Sequence, residues 1–208
     1  MYQRKITKEF IKQFLPENPI ILEAGAHKGR DTVEMAKLWP QGKIYAFEPV
    51  EKLYKKLHEN TLNYSNIIIS NYALSNKSGQ EIFYDCLECD AVGSLFEPYE
   101  IKIKRPGLNF KKIYVKTLTL DDWAKEFQIE KIDFAWLDMQ GAELKVLKAS
   151  NNILKSFKLI QIEVNLCERF KYAPAYDEIK SWFRDQGYKI LLEDFHHNDW
   201  GDVLFIKE

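Results

Sequence analysis

Short, nearly continuous apolar runs alternate along this chain with segments whose apolar residues recur every three or four positions, and few architectures accommodate that rhythm. The runs "IILE", "KIYAF", "NIIIS", "FAWLD" and "LIQIEV" read as strands buried on both faces. Between them, Asp31 to Leu38 reads as a helix, and so does the segment carrying Val50, Leu53, Tyr54 and Leu57. A further helix is expected from Ala142 to Ala149, and a late one is marked by Tyr176, Ile179, Trp182 and Phe183. Near the start, Thr7 is placed to cap a short helix bearing Phe10, Ile11 and Phe14.

Strands joined through helices require right-handed crossovers, which predicts a largely parallel sheet with helices on both sides. The last two runs, "YKILL" and "DVLFI", are joined by a polar stretch too short for a crossover helix. The final strand is therefore expected to return antiparallel, at or near the edge of the sheet. Residues 80–116 depart from the rhythm. Strand-like "EIFY" and "KIYVKTL" flank a loop rich in Gly, Pro and charge, which reads as a β/loop insertion in one domain spanning 1–208.

Ligands of open α/β sheets sit beyond the carboxyl ends of the strands, where the strand order reverses. "ILEAGAHKGRDT" occupies such an end. Its glycines, Gly25 and Gly29, lack the G-x-G-x-x-G spacing of a dinucleotide fingerprint, and the G-K-S/T of a phosphate loop is absent. What remains is E-x-G-x-x-x-G: an acid at Glu23, a backbone position at Gly25 open to close approach, and a tight entry into the helix at Gly29. Glu48 ends the second strand about twenty residues further on, where an acid in such folds binds two ribose hydroxyls. Taken alone, Glu48 reads equally as an acid that complements a helix dipole.

The blocks "LEAGAHKG", "AFEPVEKLYKKLHEN", "NYALSNKSGQ", "FAWLDMQGAELKVLKAS" and "IQIEVN" together resemble the FkbM-type methyltransferases, over roughly residues 21–165. The resemblance implies a three-layer, Rossmann-like class I methyltransferase fold, with a mostly parallel seven-stranded sheet and an antiparallel last strand. It also implies S-adenosylmethionine as cofactor and methyl transfer to a hydroxyl oxygen of a sugar, polyketide or related scaffold. Carried over by position, Glu23, Gly25, Ala26, His27 and Gly29 border the methionine part of that cofactor. Glu48 and Pro49 lie at its ribose, Asn71 to Ala73 at the adenine edge, and Asp138 at the reacting end. Two departures stand out: His27 occupies a position that is often Asn, and Met139-Gln140 replaces the commoner Val-Glu.

Transfer to an aliphatic hydroxyl needs alignment first and a general base second. Asp138, at the end of an apolar strand where burial raises a carboxylate pKa, and Glu163, set between Ile162 and Val164, are the catalytic candidates. Asp138 also reads as a helix cap, and Glu163 as a buried acid paired to a neighbouring loop. Glu143 falls in a first helical turn, and His27 reads as an exposed loop residue. His196 and His197 lie near Asp194 and Asp199 without a preorganised third ligand, and no metal is expected. For the acceptor, Phe96, Tyr99, Phe110, Tyr114, Phe170, Tyr172 and Trp200 offer an apolar platform, with Asn165, Glu168 or Arg169 bonding hydroxyls.

Charge bounds the partners. With 30 Lys and Arg against 31 Asp and Glu, no global field recruits nucleic acid or an anionic membrane, and no N-P-P-Y-like block is present. A small-molecule acceptor follows. No run is long and apolar enough to span a membrane, "MYQRKITKEF" lacks the hydrophobic centre of a secretory signal, and the three cysteines read as reduced thiols. A cytoplasmic protein is expected. The competing reading is a methyltransferase-fold protein that has lost catalysis and serves as a binding or scaffold partner.

Overall fold

The computed structural model describes residues 5–195 and 198–208. Its main sheet holds β1 (Ile20–Ala24), β2 (Lys43–Phe47), β3 (Ile67–Ser70), β7 (Phe134–Leu137), β8 (Leu159–Asn165), β9 (Tyr188–Asp194) and β10 (Trp200–Lys207). The order is β3-β2-β1-β7-β8-β10-β9, with parallel pairing from β3 through β8. The order reverses between β1 and β7. That places the crevice of an open α/β sheet at their carboxyl ends.

The strands alternate their side chains between two apolar layers. Leu22, Phe47, Ala135, Ile162 and Val203 face α5 (Leu120–Glu126), α6 (Glu143–Lys148) and α7 (Tyr176–Asp185), which contribute Trp123, Leu147 and Phe183. Ile21, Ile44, Phe134 and Leu204 face α1 (Lys8–Lys12) and α2 (Arg30–Leu38) through Ile11 and Met35. Leu57 of α3 (Glu51–Thr61) packs on Ala46 and on Ala26, just past β1. Each of the sequence-predicted helices is present; those expected at 31–38 and 142–149 are found at Arg30–Leu38 and Glu143–Lys148, and the first stops at Lys12, before Phe14. Helix α5, which carries no long periodic run, is marked instead by its cap: the Thr119 hydroxyl accepts the Asp122 N–H at 3.0 Å.

The last strand runs antiparallel and near the edge, as expected, one place in from it. β10 pairs antiparallel with both β8 and β9, so β9 takes the outer position. The reason is connectivity. β9 arrives through the α7 crossover, and the short link after it can only fold back into the gap beside β8.

The region expected as a β/loop insertion forms a second sheet of β4 (Ala73–Leu74), β6 (Phe110–Leu118) and β5 (Gly79–Cys86), in that order. β5 and β6 pair antiparallel from Gly79↔Thr117 to Cys86↔Phe110. The connection out of β5 runs to α4 (Glu100–Lys104) and lies over the crevice, so this small sheet supplies its roof.

Candidate active site

Under that roof a cavity of about 250 Å³ opens at the carboxyl ends of β1, β2 and β7. Gly25, Ala26 and His27 form one wall. Gly25 sits at φ 88, and its N–H and that of Ala26 both donate to the Phe47 carbonyl, at 3.1 and 2.9 Å. A Cβ on Gly25 would lie 1.9 Å from the Asp138 carbonyl oxygen, so only glycine lets the β1 turn pass the end of β7. Gly29 stands at the N-cap of α2 and packs toward Leu57, behind the wall rather than in it.

Glu48, Pro49 and Val50 form the facing wall. The Glu48 carboxylate is buried and held from both sides: Oε2 accepts the His27 N–H at 2.9 Å and Oε1 the Val50 N–H at 2.8 Å. Burial raises its pKa to about 7, with Asp85 and Asp90 pushing the same way and the two amides resisting. Each oxygen keeps a second lone pair, and Glu48 lines the cavity, which suits two hydroxyls on adjacent carbons. Asn71 does not line the cavity. Its amide donates to the Glu48 and Pro49 carbonyls at 2.9 and 3.2 Å and so braces the loop that carries the acid, while Tyr72, Ala73 and Leu74 reach the lining.

Glu23 likewise lies outside the lining. The alternation of β1 turns it to the α2 side, where Thr32 and Asp31 face it, and burial lifts its pKa to about 8. The resemblance put it at the methionine part of the cofactor; in the structure it is a buried acid beneath the loop. Asp138 follows the end of β7 and does line the cavity, but it is exposed. The burial expected of Asp138 falls instead on its neighbours Glu143 and Glu163. Glu143 accepts the Met139 N–H and is raised to about 8 by burial.

Glu163 does not reach the cavity wall. It is 4% exposed, accepts Arg169 Nη1 at 2.9 Å and Gln140 Nε2 at 3.0 Å, and is held well above the usual carboxylate range by burial, with Asp138 adding and Arg169 opposing. Arg169 stacks 5.6 Å from the Trp200 ring and is enclosed in this network, so its guanidinium is not presented to an acceptor. Of the expected acceptor platform, Phe170 is fully buried, Phe110 packs in the roof core, and Tyr172 and Tyr114 are exposed at the surface.

The roof residues were not legible in the sequence. Phe83 and Leu95 give apolar cover, and Asp90 closes one side by bonding His27 Nε2 at 2.9 Å and Lys28 Nζ at 2.7 Å. On the other side Ser94 Oγ donates to the Gln140 carbonyl at 2.9 Å. "ECDAVGSL" carries no periodicity, and its role comes from the β5–β6 pairing that swings it over the strand ends. Cys86 and Cys89, in the same segment, are free thiols. Among the described residues no group of three His, Cys, Asp or Glu side chains is placed to hold a metal ion. His196 and His197 lie outside the described residues.

A model of the FkbM methyltransferase domain matches residues 23–190, from the glycine-lined turn through α7. The chain belongs to the FkbM methyltransferase family. Among curated relatives it is 28% identical to 2-O-methyltransferase NoeI of Sinorhizobium fredii over 166 residues, 76% of this chain and 68% of that protein. It is 27% identical to the hexuronic acid methyltransferase AglP of Haloferax volcanii, over 59% of this chain and 47% of that one. In fold it is similar to Aeropyrum pernix fibrillarin with natively bound S-adenosyl-L-methionine: TM-score 0.53, 14% identity, 92% of this chain and 69% of that one.

S-adenosylmethionine is the cofactor of this family, and the FkbM cavity fits it. The buried Glu48, pinned by two amides with acceptor capacity to spare, matches a ribose diol. Leu74, Phe83 and Leu95 offer apolar surface for a base, and Asp138 lines the same cavity.

The buried acids set a pH dependence of stability. Glu23 and Glu143 at about 8 and Glu48 at about 7 all stand above the ordinary 4.5, so the folded chain keeps protons the unfolded chain has released. The stability these groups contribute is then full below pH 4.5 and is lost progressively as pH rises to 7 to 8. Thermal melts are expected to give a lower Tm at pH 8.5 than at pH 5.5. Glu23→Gln, which needs no proton to be neutral, should flatten the slope, at about 2–4 °C per kcal/mol recovered. A Tm that climbs across this window would contradict the assignment.

Proposed function

We propose that this chain is an S-adenosylmethionine-dependent O-methyltransferase acting on a hydroxyl of a sugar or related natural-product scaffold. The observation that carries the reading is the pair of carboxylates across one roofed cavity: Glu48, fixed by backbone amides, and Asp138, open to it from the end of β7. When bound, S-adenosylmethionine supplies an activated methyl on a sulfonium and leaves as S-adenosylhomocysteine. Glu48 would accept hydrogen bonds from the ribose hydroxyls and so fix the donor's register. The Gly25–His27 turn would border its methionine end. Asp138 takes the proton from the acceptor hydroxyl as the oxygen–carbon bond forms. Asp90 and Ser94 hold the roof down, which limits water at the reacting centre.

Glu163, with Arg169 and Gln140, supports this arrangement from behind rather than touching the acceptor. The relatives named as a 2-O-methyltransferase and a hexuronic acid methyltransferase favour a carbohydrate acceptor over a polyketide. The near balance of 30 basic and 31 acidic residues favours a small acceptor over nucleic acid. Among the described residues no helix is long and apolar enough to cross a membrane, and the free thiols suit a reducing, cytoplasmic setting.

The test is incubation with methyl-labelled S-adenosylmethionine and a panel of sugars, uronic acids, glycolipids and polyketides. Label should appear on a hydroxyl oxygen. Asp138→Asn should then lower kcat by roughly a hundredfold to ten-thousandfold while donor affinity persists. A chain that binds no S-adenosylmethionine would instead support the scaffold reading.

A further inference from the structure

We infer that Gln140 is a positioning residue: its carboxamide, clamped by Arg169, holds the Asp138 carboxylate at the cavity mouth in its anionic, acceptor-facing state. The inference rests on the role given to Asp138 above. Gln140 is a non-glycine residue in the left-handed region, φ 53, followed by Gly141 at φ 101. Two such residues in succession turn the chain sharply after β7, and the side chain is buried beside β8 instead of standing out on a helix.

Every polar atom of that side chain is then used. Nε2 donates to Asp138 Oδ1 at 2.8 Å and to Glu163 Oε1 at 3.0 Å, and Oε1 accepts Arg169 Nη2 at 3.1 Å. A guanidinium has donors only, so the amide oxygen must face Arg169, and the flipped arrangement is closed to it. Both amide hydrogens are thereby committed to carboxylates. Arg169 is itself fixed by Glu163 and by Asn165 Oδ1 at 3.4 Å. Ser94 ties the Gln140 carbonyl to the roof, so the clamp also connects cavity cover to base.

The charges around Asp138 show what a neutral donor contributes in this chain. Glu23 from β1, Glu143 from α6 and Glu163 from β8 all act on it, and His27, Arg30, Asp31, Glu48 and Asp90 line the same cavity. Arg169 reaches Asp138 through Gln140. A carboxylate at 140 would keep the bond to Arg169 but turn a donor to Asp138 into a like charge.

The test uses the full chain labelled with 13C at aspartate side-chain carboxyls, titrated by NMR without donor or acceptor, with Asp138→Asn assigning the signal. Gln140→Leu should raise the Asp138 midpoint by about half a pH unit or more, and Gln140→Glu by more again. Gln140→Glu is close in shape and keeps the Arg169 contact, so it reports even where Gln140→Leu does not fold. A purely structural role would lower Tm and leave the Asp138 midpoint where it was. Midpoints agreeing within about 0.2 across wild type and Gln140→Glu overturn the inference. Calorimetry of the wild type with S-adenosylmethionine, run separately, tells a failed clamp from a failed methyl-transfer reading.

Discussion

Glu48→Ala is expected to weaken S-adenosylmethionine binding by roughly a hundredfold or more, the largest loss for any single side chain in the cavity. Two charge-assisted hydrogen bonds to the ribose would go, each worth about 1.5–3 kcal/mol. The same substitution strips the His27 and Val50 amides of their acceptor, so both walls of the cavity loosen together. Glu48→Gln keeps the volume and one acceptor, and should lose less. Isothermal titration with S-adenosylmethionine and S-adenosylhomocysteine measures both variants.

The wild type should also show a pH signature that neither variant can reproduce. Ribose hydroxyls donate, so binding selects the ionised carboxylate, and Glu48 must release its proton when pH lies below its raised value near 7. Affinity is therefore expected to fall by about tenfold from pH 7.5 to pH 6 and to level off above pH 8. Flat affinity across that range, or equal affinity in Glu48→Ala, would remove Glu48 from the donor site.

Gly25→Ala should be the most disruptive small substitution in the chain, costing more than about 3 kcal/mol. The added Cβ would lie 1.9 Å from the Asp138 carbonyl oxygen, a backbone atom at the end of a central strand, and the φ of 88 is itself strained for any L side chain. Neither partner can swing away. Denaturant melts should show the loss, and what folds should bind the donor poorly because the turn has been forced off β7. Near wild-type stability in Gly25→Ala would mean that the two strand ends stand further apart than described.

How far the sequence reveals this arrangement depends on whether a feature is local. The sheet strands and their crossover helices come through because buried parallel strands are written as unbroken apolar runs such as "FAWL" and "LIQIEV". Gly25 and Glu48 are legible for the same reason: each sits at a strand end whose position the periodicity already fixes. Asp138 was placed correctly in the chain and wrongly in its surroundings, since exposure depends on the roof, which arrives from residues 87–98.

The partners of Glu163 were hidden as well. Arg169 lies six residues on in a loop and Gln140 twenty-three residues back, and only the β7–β8 pairing brings them together. Glu23 shows the opposite error. An acid beside a ligand loop invites a ligand role, yet the two-residue period of β1 turns it to the α2 face while its neighbours Leu22 and Ala24 face the other layer.

The place of β10 has a consequence for how the chain is made. Strand β9 finds its neighbour in β10, and β8 is flanked on that side by β10 alone. During synthesis, β9 therefore emerges from the ribosome before the strand that will tie it to the sheet. A chain stalled ahead of residue 200 presents a bare β8 margin and a stray ribbon beside it.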